Sequence, residues 1–212
     1  MLYTVKILIT AFEPFGGEKV NPALEAMNLL PDNIGKLQIL KLELPTVFNK
    51  SIEMVWQSIE QQKPDVVISL GQAGGRACIS IERIAINIDD TTIADNEGNM
   101  PIDQPIFKDG DNAYFSTLPI KNMVSAIKKA GIPAEVSNTA GTYVCNHVIY
   151  GILYKIHKER LNIKAGFVHV PFIPEQVVDN PGRPSMSLEN IVQAIEVACK
   201  VLESEKHPVE FQ

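Results

Sequence analysis

Runs rich in valine and isoleucine alternate along this chain with stretches whose apolar positions recur at helical spacing. The strand-like runs are YTVKILITAF, LQILKLEL, PDVVISLG, SIERIAINID, AEVSN and KAGFVHVPF. Between them stand NPALEAMNLL, VFNKSIEMVWQSIEQQK, KNMVSAIKKA and CNHVIYGILYKIHKER, and SLENIVQAIEVACKVLES comes last. In the fourth of these, Val148, Ile149, Ile152, Leu153 and Ile156 keep to one helical stripe. Asn21-Pro22 is a helix start, a capping side chain followed by proline in the first turn. Such alternation predicts a largely parallel, mixed sheet with helices on both faces, a three-layer α/β/α sandwich. No repeat, low-complexity tract or linker stands out, so residues 1–212 read as one domain. Residues 90–113, long and polar, interrupt the rhythm and suggest a lid, an arm or an interface loop.

Composition narrows the partners. The net charge is -6 and no polybasic run offers phosphates a footprint, which argues against nucleic acid. A chain of 212 residues can bury a core without disulfide or metal. Its three cysteines, Cys78, Cys145 and Cys199, are far apart and form no metal or redox spacing. The N-terminus enters a strand pattern at once, unlike a signal peptide, and no run approaches a membrane span. A cytoplasmic protein with reduced thiols is expected.

In folds of this class ligands bind beyond the carboxyl ends of the strands. The segments there are FEPFGG (12–17), GQAGG (71–75), TAGTYVC (139–145) and HVPF (169–172). One rim therefore gathers glycines, two phenylalanines, a lone cysteine and a histidine. Cys145 on its own could be a small buried hydrophobe. Its place in a helix's first turn, facing unpaired N–H groups and the positive end of the macrodipole, instead favours thiolate. A nucleophilic thiol needs a base, and His169 is the histidine at a strand's carboxyl end. His147 lies two residues past Cys145 and points away from it, His157 falls late in that helix, and His207 belongs to the tail. Glu82, inside a strand-like run, reads from pattern alone as the exposed partner of Arg83; the alternative is an inward carboxylate that fixes an imidazole's tautomer. The glycines match neither GxGxxG nor GK[ST], so tight turns near a ligand suit them better than a phosphate cradle.

With those residues assembled, the chain resembles the pyroglutamyl peptidases of the cysteine type, also called pyrrolidone-carboxylate peptidases. The likeness runs nearly end to end, through ILITAFEPFGG, NPA, LPTVF, GQAGGR, ERIAINIDD, SNTAGTYVCNH and FVHVPFIPEQ. It implies hydrolysis of the amide that joins an N-terminal pyroglutamyl residue to a peptide. It assigns Cys145 as nucleophile, His169 as general base and acid, and Glu82 as the orienting acid. Phe12, Phe15, Asn21, Thr46, Gln72, Ile93, Tyr143 and Val144 become the substrate pocket, with Phe12 and Phe15 sandwiching the flat lactam. It further implies a homotetramer and no metal or other cofactor.

One position departs from the family pattern. Two residues after NIDD, where many bacterial members carry an arginine thought to face the oxyanion, this chain has Thr92. Backbone N–H groups at the start of the Cys145 helix would then carry that task, with Arg76 or Arg83 as possible helpers. Two other readings compete: a different small-amide thiol hydrolase on the same fold, or a phosphorylase-like metabolite-binding domain in which Cys145 is only structural.

Overall fold

The computed structural model describes residues 4–204. His207 and Tyr3, the first residue of the opening run, therefore lie outside the described residues. A seven-stranded sheet runs in the order β2-β3-β1-β4-β9-β5-β8. Its members are β1 (Val5–Phe12), β2 (Asn33–Ile34), β3 (Leu37–Leu44), β4 (Val66–Gln72), β5 (Ile79–Glu82), β8 (Ala134–Ser137) and β9 (Lys164–Val170). The helices are α1 (Pro22–Leu29), α2 (Lys50–Gln62), α3 (Ile120–Lys129), α4 (Val144–Glu159) and α5 (Leu188–Val201). A second sheet pairs β6 (Ile84–Ile86) with β7 (Ala113–Phe115).

Strands β3, β1, β4 and β9 run parallel, so their carboxyl ends share one edge. From Ile7 to Phe12 the residues of β1 are buried whichever way they point, as a sheet covered on both faces requires. Ile7, Ile9 and Ala11 join the layer formed with α1, α3 and α5, whereas Leu8 and Phe12 join the layer formed with α2 and α4. Since α1 and α2 cover opposite faces, the chain reverses direction across the sheet between β1 and β4. A crevice opens at such a switch point. Among the described residues no helix is long and apolar enough to cross a membrane.

Two expectations need correcting. The run SIERIAINID is not one strand: β5 ends at Glu82, and Ile84–Ile86 leave for the second sheet. In addition, β5 runs antiparallel to β9 and carries β8 with it. Residues 139–145 therefore do not leave a parallel strand at the rim; they double back to it before α4 begins. The polar stretch 90–113 is pinned, not free. Asp89 and Gln104 exchange backbone hydrogen bonds of 2.7 and 3.0 Å at its base, and Phe107 returns to stack on Tyr154 at 4.3 Å.

Helix α4 holds the small sheet in place through one side chain. Asn146, fully buried, accepts from the Ile86 N–H at 3.0 Å and donates to the carbonyls of Ile86 (2.8 Å) and Ile88 (3.0 Å). A primary amide suits this task because it offers two N–H donors and a carbonyl acceptor at once. Asn146→Ala strands all three groups and should cost about 2–4 kcal/mol of stability, given about 1 kcal/mol per net hydrogen bond and more for buried orphans. Urea unfolding measures it; a loss under about 0.5 kcal/mol, the scale of an ordinary surface change, would contradict the clamp.

Candidate active site

The reversed direction of β5 decides where Glu82 stands. Ser80 pairs with His169 across the β5–β9 ladder, so Glu82, two residues on, shares that face one diagonal step away. Its carboxylate is 1% exposed. Oε1 accepts from His169 Nδ1 at 2.7 Å and from Arg76 Nη1 at 2.7 Å. Arg76 Nη2 donates to the Thr139 carbonyl at 3.0 Å. A carboxylate only accepts, so the proton sits on His169 Nδ1 and the Nε2 lone pair is left for another partner. Oε2 is buried with no partner among the described residues.

Burial works to raise the Glu82 pKa, but His169, Ser137 and Arg76 together hold it below the ordinary carboxylate value. Ser137 contributes from across the β5–β8 pair, although its own hydroxyl proton goes to the Thr139 carbonyl. His169, 4% exposed, is pushed below the ordinary imidazole value, first by burial; Glu82 opposes this and Arg76 reinforces it.

Cys145 is the second residue of α4, after the N-cap Tyr143. Its Sγ rests over Gly71, 3.0 Å from where a Cβ on that residue would stand, and such a Cβ would meet the Phe167 ring at 2.7 Å. Gly71 pairs with His169 in the β4–β9 ladder. Neighbouring strands lie about 4.8 Å apart, so the thiol sits beside the imidazole on the same face. The use of Gly71 is thus room for sulfur, not a turn. Gly74 likewise leaves space for Phe172, and Gly75 (φ +94°) is the true turn glycine.

Two influences act against the thiolate that the helix terminus favours. Burial, then the charge of Glu82, push the Cys145 thiol up to about 12, against the opposing pull of Arg76 and of the residue's own N–H. With His169 shifted downward, both shifts act in the direction of a neutral thiol and a neutral imidazole. Cys199 is buried core in α5, its thiol pushed to about 12 by burial, and Cys78 is raised by burial and by Glu135.

The residues named for the pocket divide into open and closed ones. Phe15 and Tyr143 face each other at 5.8 Å on the rim, and Ile93 is 48% exposed nearby on the 90–113 excursion, tied in by Tyr143 Oη donating to the Ala94 carbonyl. Phe12, by contrast, is 2% exposed and stacks on Phe167 at 6.4 Å. It is a floor, not one plate of an open sandwich. The Val144 side chain is fully buried, leaving its backbone N–H to the site. Asn21 caps α1 through Ala23 N–H and reaches the Glu13 carbonyl at 3.4 Å, so its amide is engaged in holding the rim. The Thr46 hydroxyl donates to that same carbonyl at 3.0 Å. Gln72 accepts from Gln176 at 2.9 Å.

Several residues escaped the sequence reading. Arg76 was considered only as a helper for an oxyanion, yet its guanidinium is taken by Glu82 and Thr139. Arg83, expected beside Glu82, points the other way and donates to Asn138 at 2.8 Å. Glu13 receives Thr46 N–H (3.1 Å) and Asn96 Nδ2 (2.8 Å), joining three loops. Asp95 accepts from the N–H groups of Phe48, Glu97 and Asn99. Burial would raise its pKa, but those bonds and the Asn99 amide hold it low. The Asp-x-x-Gly spacing of DNEG was the available signal for such a turn. Thr92 is exposed on this excursion. Among the described residues no group of three or more His, Cys, Asp or Glu is placed to hold a metal ion.

A buried carboxylate–imidazole pair beside a helix-initial thiol suits acyl transfer, and relatives bear on which kind. The sequence profile of the family described as pyroglutamyl peptidase matches residues 5–205. The chain belongs to the pyroglutamyl peptidase family. The pyrrolidone-carboxylate peptidase of Clostridium perfringens is 58% identical over 198 residues, 93% of each chain. That of Thermosipho africanus is 60% identical over 93% of this chain and 97% of its own. The crystal structure of pyroglutamyl peptidase I from Bacillus amyloliquefaciens superposes with a TM-score of 0.93 at 44% identity, covering 99% of this chain and 100% of that one. The single-domain α/β architecture with a mostly parallel sheet is the one these peptidases share, and the metabolite-binding alternative falls away.

Arg76 can be tested through pH. Its positive charge lowers the His169 pKa, so removing it lets the imidazole keep its proton to higher pH. In Arg76→Met the acid limb of kcat/KM should therefore move to higher pH. A pH–rate profile reads this; an unmoved limb, or one displaced downward, would deny Arg76 its electrostatic role.

Proposed function

We propose that Cys145, His169 and Glu82 carry out the hydrolysis by which this cysteine peptidase releases N-terminal pyroglutamate from peptides. The observation that carries the reading is the thiol over Gly71 beside an imidazole whose tautomer a buried carboxylate fixes. The reaction starts from the neutral pair. His169 Nε2 takes the thiol proton as sulfur attacks the pyroglutamyl carbonyl carbon, giving a tetrahedral oxyanion and an imidazolium stabilised by Glu82. The imidazolium passes that proton to the departing amine and a thioester remains. Water then attacks the thioester with His169 as base, and pyroglutamate leaves as the thiol is restored.

The oxyanion calls for donors. The N–H groups in the first turn of α4 have no intrahelical acceptor, and Tyr143 supplies no side-chain cap. With Arg76 and Arg83 engaged elsewhere and Thr92 exposed, these backbone groups are the donors of choice. Specificity follows from exclusion. A rim built of Phe15, Tyr143 and Ile93, with Thr46, Gln72 and Asn21 already engaged in their own bonds, suits a flat neutral lactam. An N-terminal ammonium would lose its hydration there at a cost of several kcal/mol. On this reading residues 1–212 act as one catalytic domain, in the cytoplasm and as a homotetramer. Exposed Met100, Ile102 and Phe115 are apolar surface for such an assembly to cover.

Hydrolysis of a pyroglutamyl anilide beside a prolyl anilide tests the assignment. Cys145→Ala should lose at least about a thousandfold in rate, the scale seen when a nucleophile acting as part of a unit is removed. Cys78→Ser and Cys199→Ser should retain activity, and the prolyl substrate should stay uncleaved. Substantial turnover by Cys145→Ala would sink the cysteine mechanism.

A further inference from the structure

A second buried carboxylate–imidazole pair lies behind the first, and the mechanism does not use it. His147 is 2% exposed and Asp89 7% exposed. Nδ1 of His147 meets Asp89 Oδ2 at 2.7 Å, and Nε2 accepts the backbone N–H of Asn49 at 3.0 Å. Since an N–H group can only donate, Nε2 must carry a lone pair and Nδ1 the proton. The ring is therefore neutral and held in one tautomer. It presents an acceptor, through Asp89, to one particular backbone group.

That backbone group is unusual. Asn49 has φ 62° and ψ -53°, and Lys50 N–H donates to the Phe48 carbonyl at 2.7 Å. Together these define a γ-turn of the positive-φ kind, which is rare and strained for a residue with a side chain. Such a turn persists only where its surroundings fix it. The corner is fixed at three of its N–H groups by three different segments: Thr46 by Glu13, Phe48 by Asp95, and Asn49 by His147. The Phe48 ring also stands edge-on to His147 at 5.2 Å and to Tyr143 at 5.6 Å. Thr46, the named pocket residue, sits at the start of this corner, and the Asn96 N–H bonds its carbonyl at 3.0 Å.

We infer that His147 is a positioning residue for the substrate pocket: locked by Asp89 as an acceptor, it pins the strained turn at Asn49 and so sets the Thr46–Phe48 wall against the Cys145 helix. The inference rests on the reading of Thr46 and Tyr143 as pocket wall. It assigns His147 no contact with the reacting atoms, so its loss should weaken binding and spare chemistry.

Three variants test it by steady-state kinetics on a pyroglutamyl anilide, with thermal melts and iodoacetamide alkylation of Cys145 alongside. His147→Phe keeps the ring but removes the acceptor. Its KM should rise at least about tenfold while kcat stays within about threefold, the split expected when contacts made equally in ground and transition states are lost. Because this change leaves Asp89 without its partner, the double variant Asp89→Leu with His147→Phe removes the stranded charge and should show the same split. His147→Gln can set Oε1 near the position of Nε2, and its KM should stay within about threefold of the parent. A folded double variant with unchanged KM would overturn the inference. So would a His147→Gln KM as high as that of His147→Phe, since the acceptor would then be irrelevant. Alkylation at the parental rate in all three keeps this outcome separate from the Cys145 assignment, which is decided by anilide turnover in the parent beside Cys145→Ala.

Discussion

A negative charge buried at Glu82 sets the terms for everything around it. A carboxylate removed from water is costly unless it is paired and hydrogen-bonded, and a single oxygen here takes both Arg76 and His169. The two partners come from different loops and strands, so the sheet order and the reversed direction of β5 are conditions for the pairing. Arg76 neutralises the site without occupying it. Burial and Arg76 press His169 toward its uncharged form, while the Glu82 carboxylate stands at its Nδ1. The same charge opposes ionisation of the neighbouring thiol, adding to the effect of burial.

The first turn of α4 distributes three consecutive residues among three tasks. Successive helical residues point about 100° apart, so Cys145, Asn146 and His147 reach different neighbours. Cys145 lies over Gly71, Asn146 holds the small sheet, and His147 reaches the N-terminal corner of α2. The helix is thus positioned by polar contacts on either side of the sulfur and by an apolar stripe below it. Catalytic geometry tolerates displacements of well under an ångström, and fixing the residues that adjoin the thiol is a direct way to hold its place.

Much of this was legible in the chain itself, for reasons that also mark the limits. The buried strands β1, β3, β4 and β9 announce themselves as apolar runs, and the α4 stripe as a helical period. Cys145 and His169 could be singled out because each follows or ends such an element. The split after Glu82 was hidden because the apolar pattern continues through Ile84 and Ile86 into another sheet. Nothing local encodes that β5 runs backwards, and without that direction the adjacent Arg83 looked like the partner that Arg76 proves to be. Alternation alone argued otherwise, since neighbours on a strand face opposite ways. The thiolate expectation weighed the helix terminus and missed burial and Glu82, both of which depend on residues far along the chain. The Asp89–His147 pair spans 58 positions and leaves no periodic trace.

The central claim is the protonation state of His169, and nitrogen NMR of the imidazole in the free protein at neutral pH addresses it most directly. The account predicts a neutral ring protonated at Nδ1, with Nε2 showing the shift of an unprotonated nitrogen, unchanged in Cys145→Ala. An imidazolium protonated at both nitrogens, reverting to neutral when Cys145 is replaced, would contradict it by revealing a preformed ion pair.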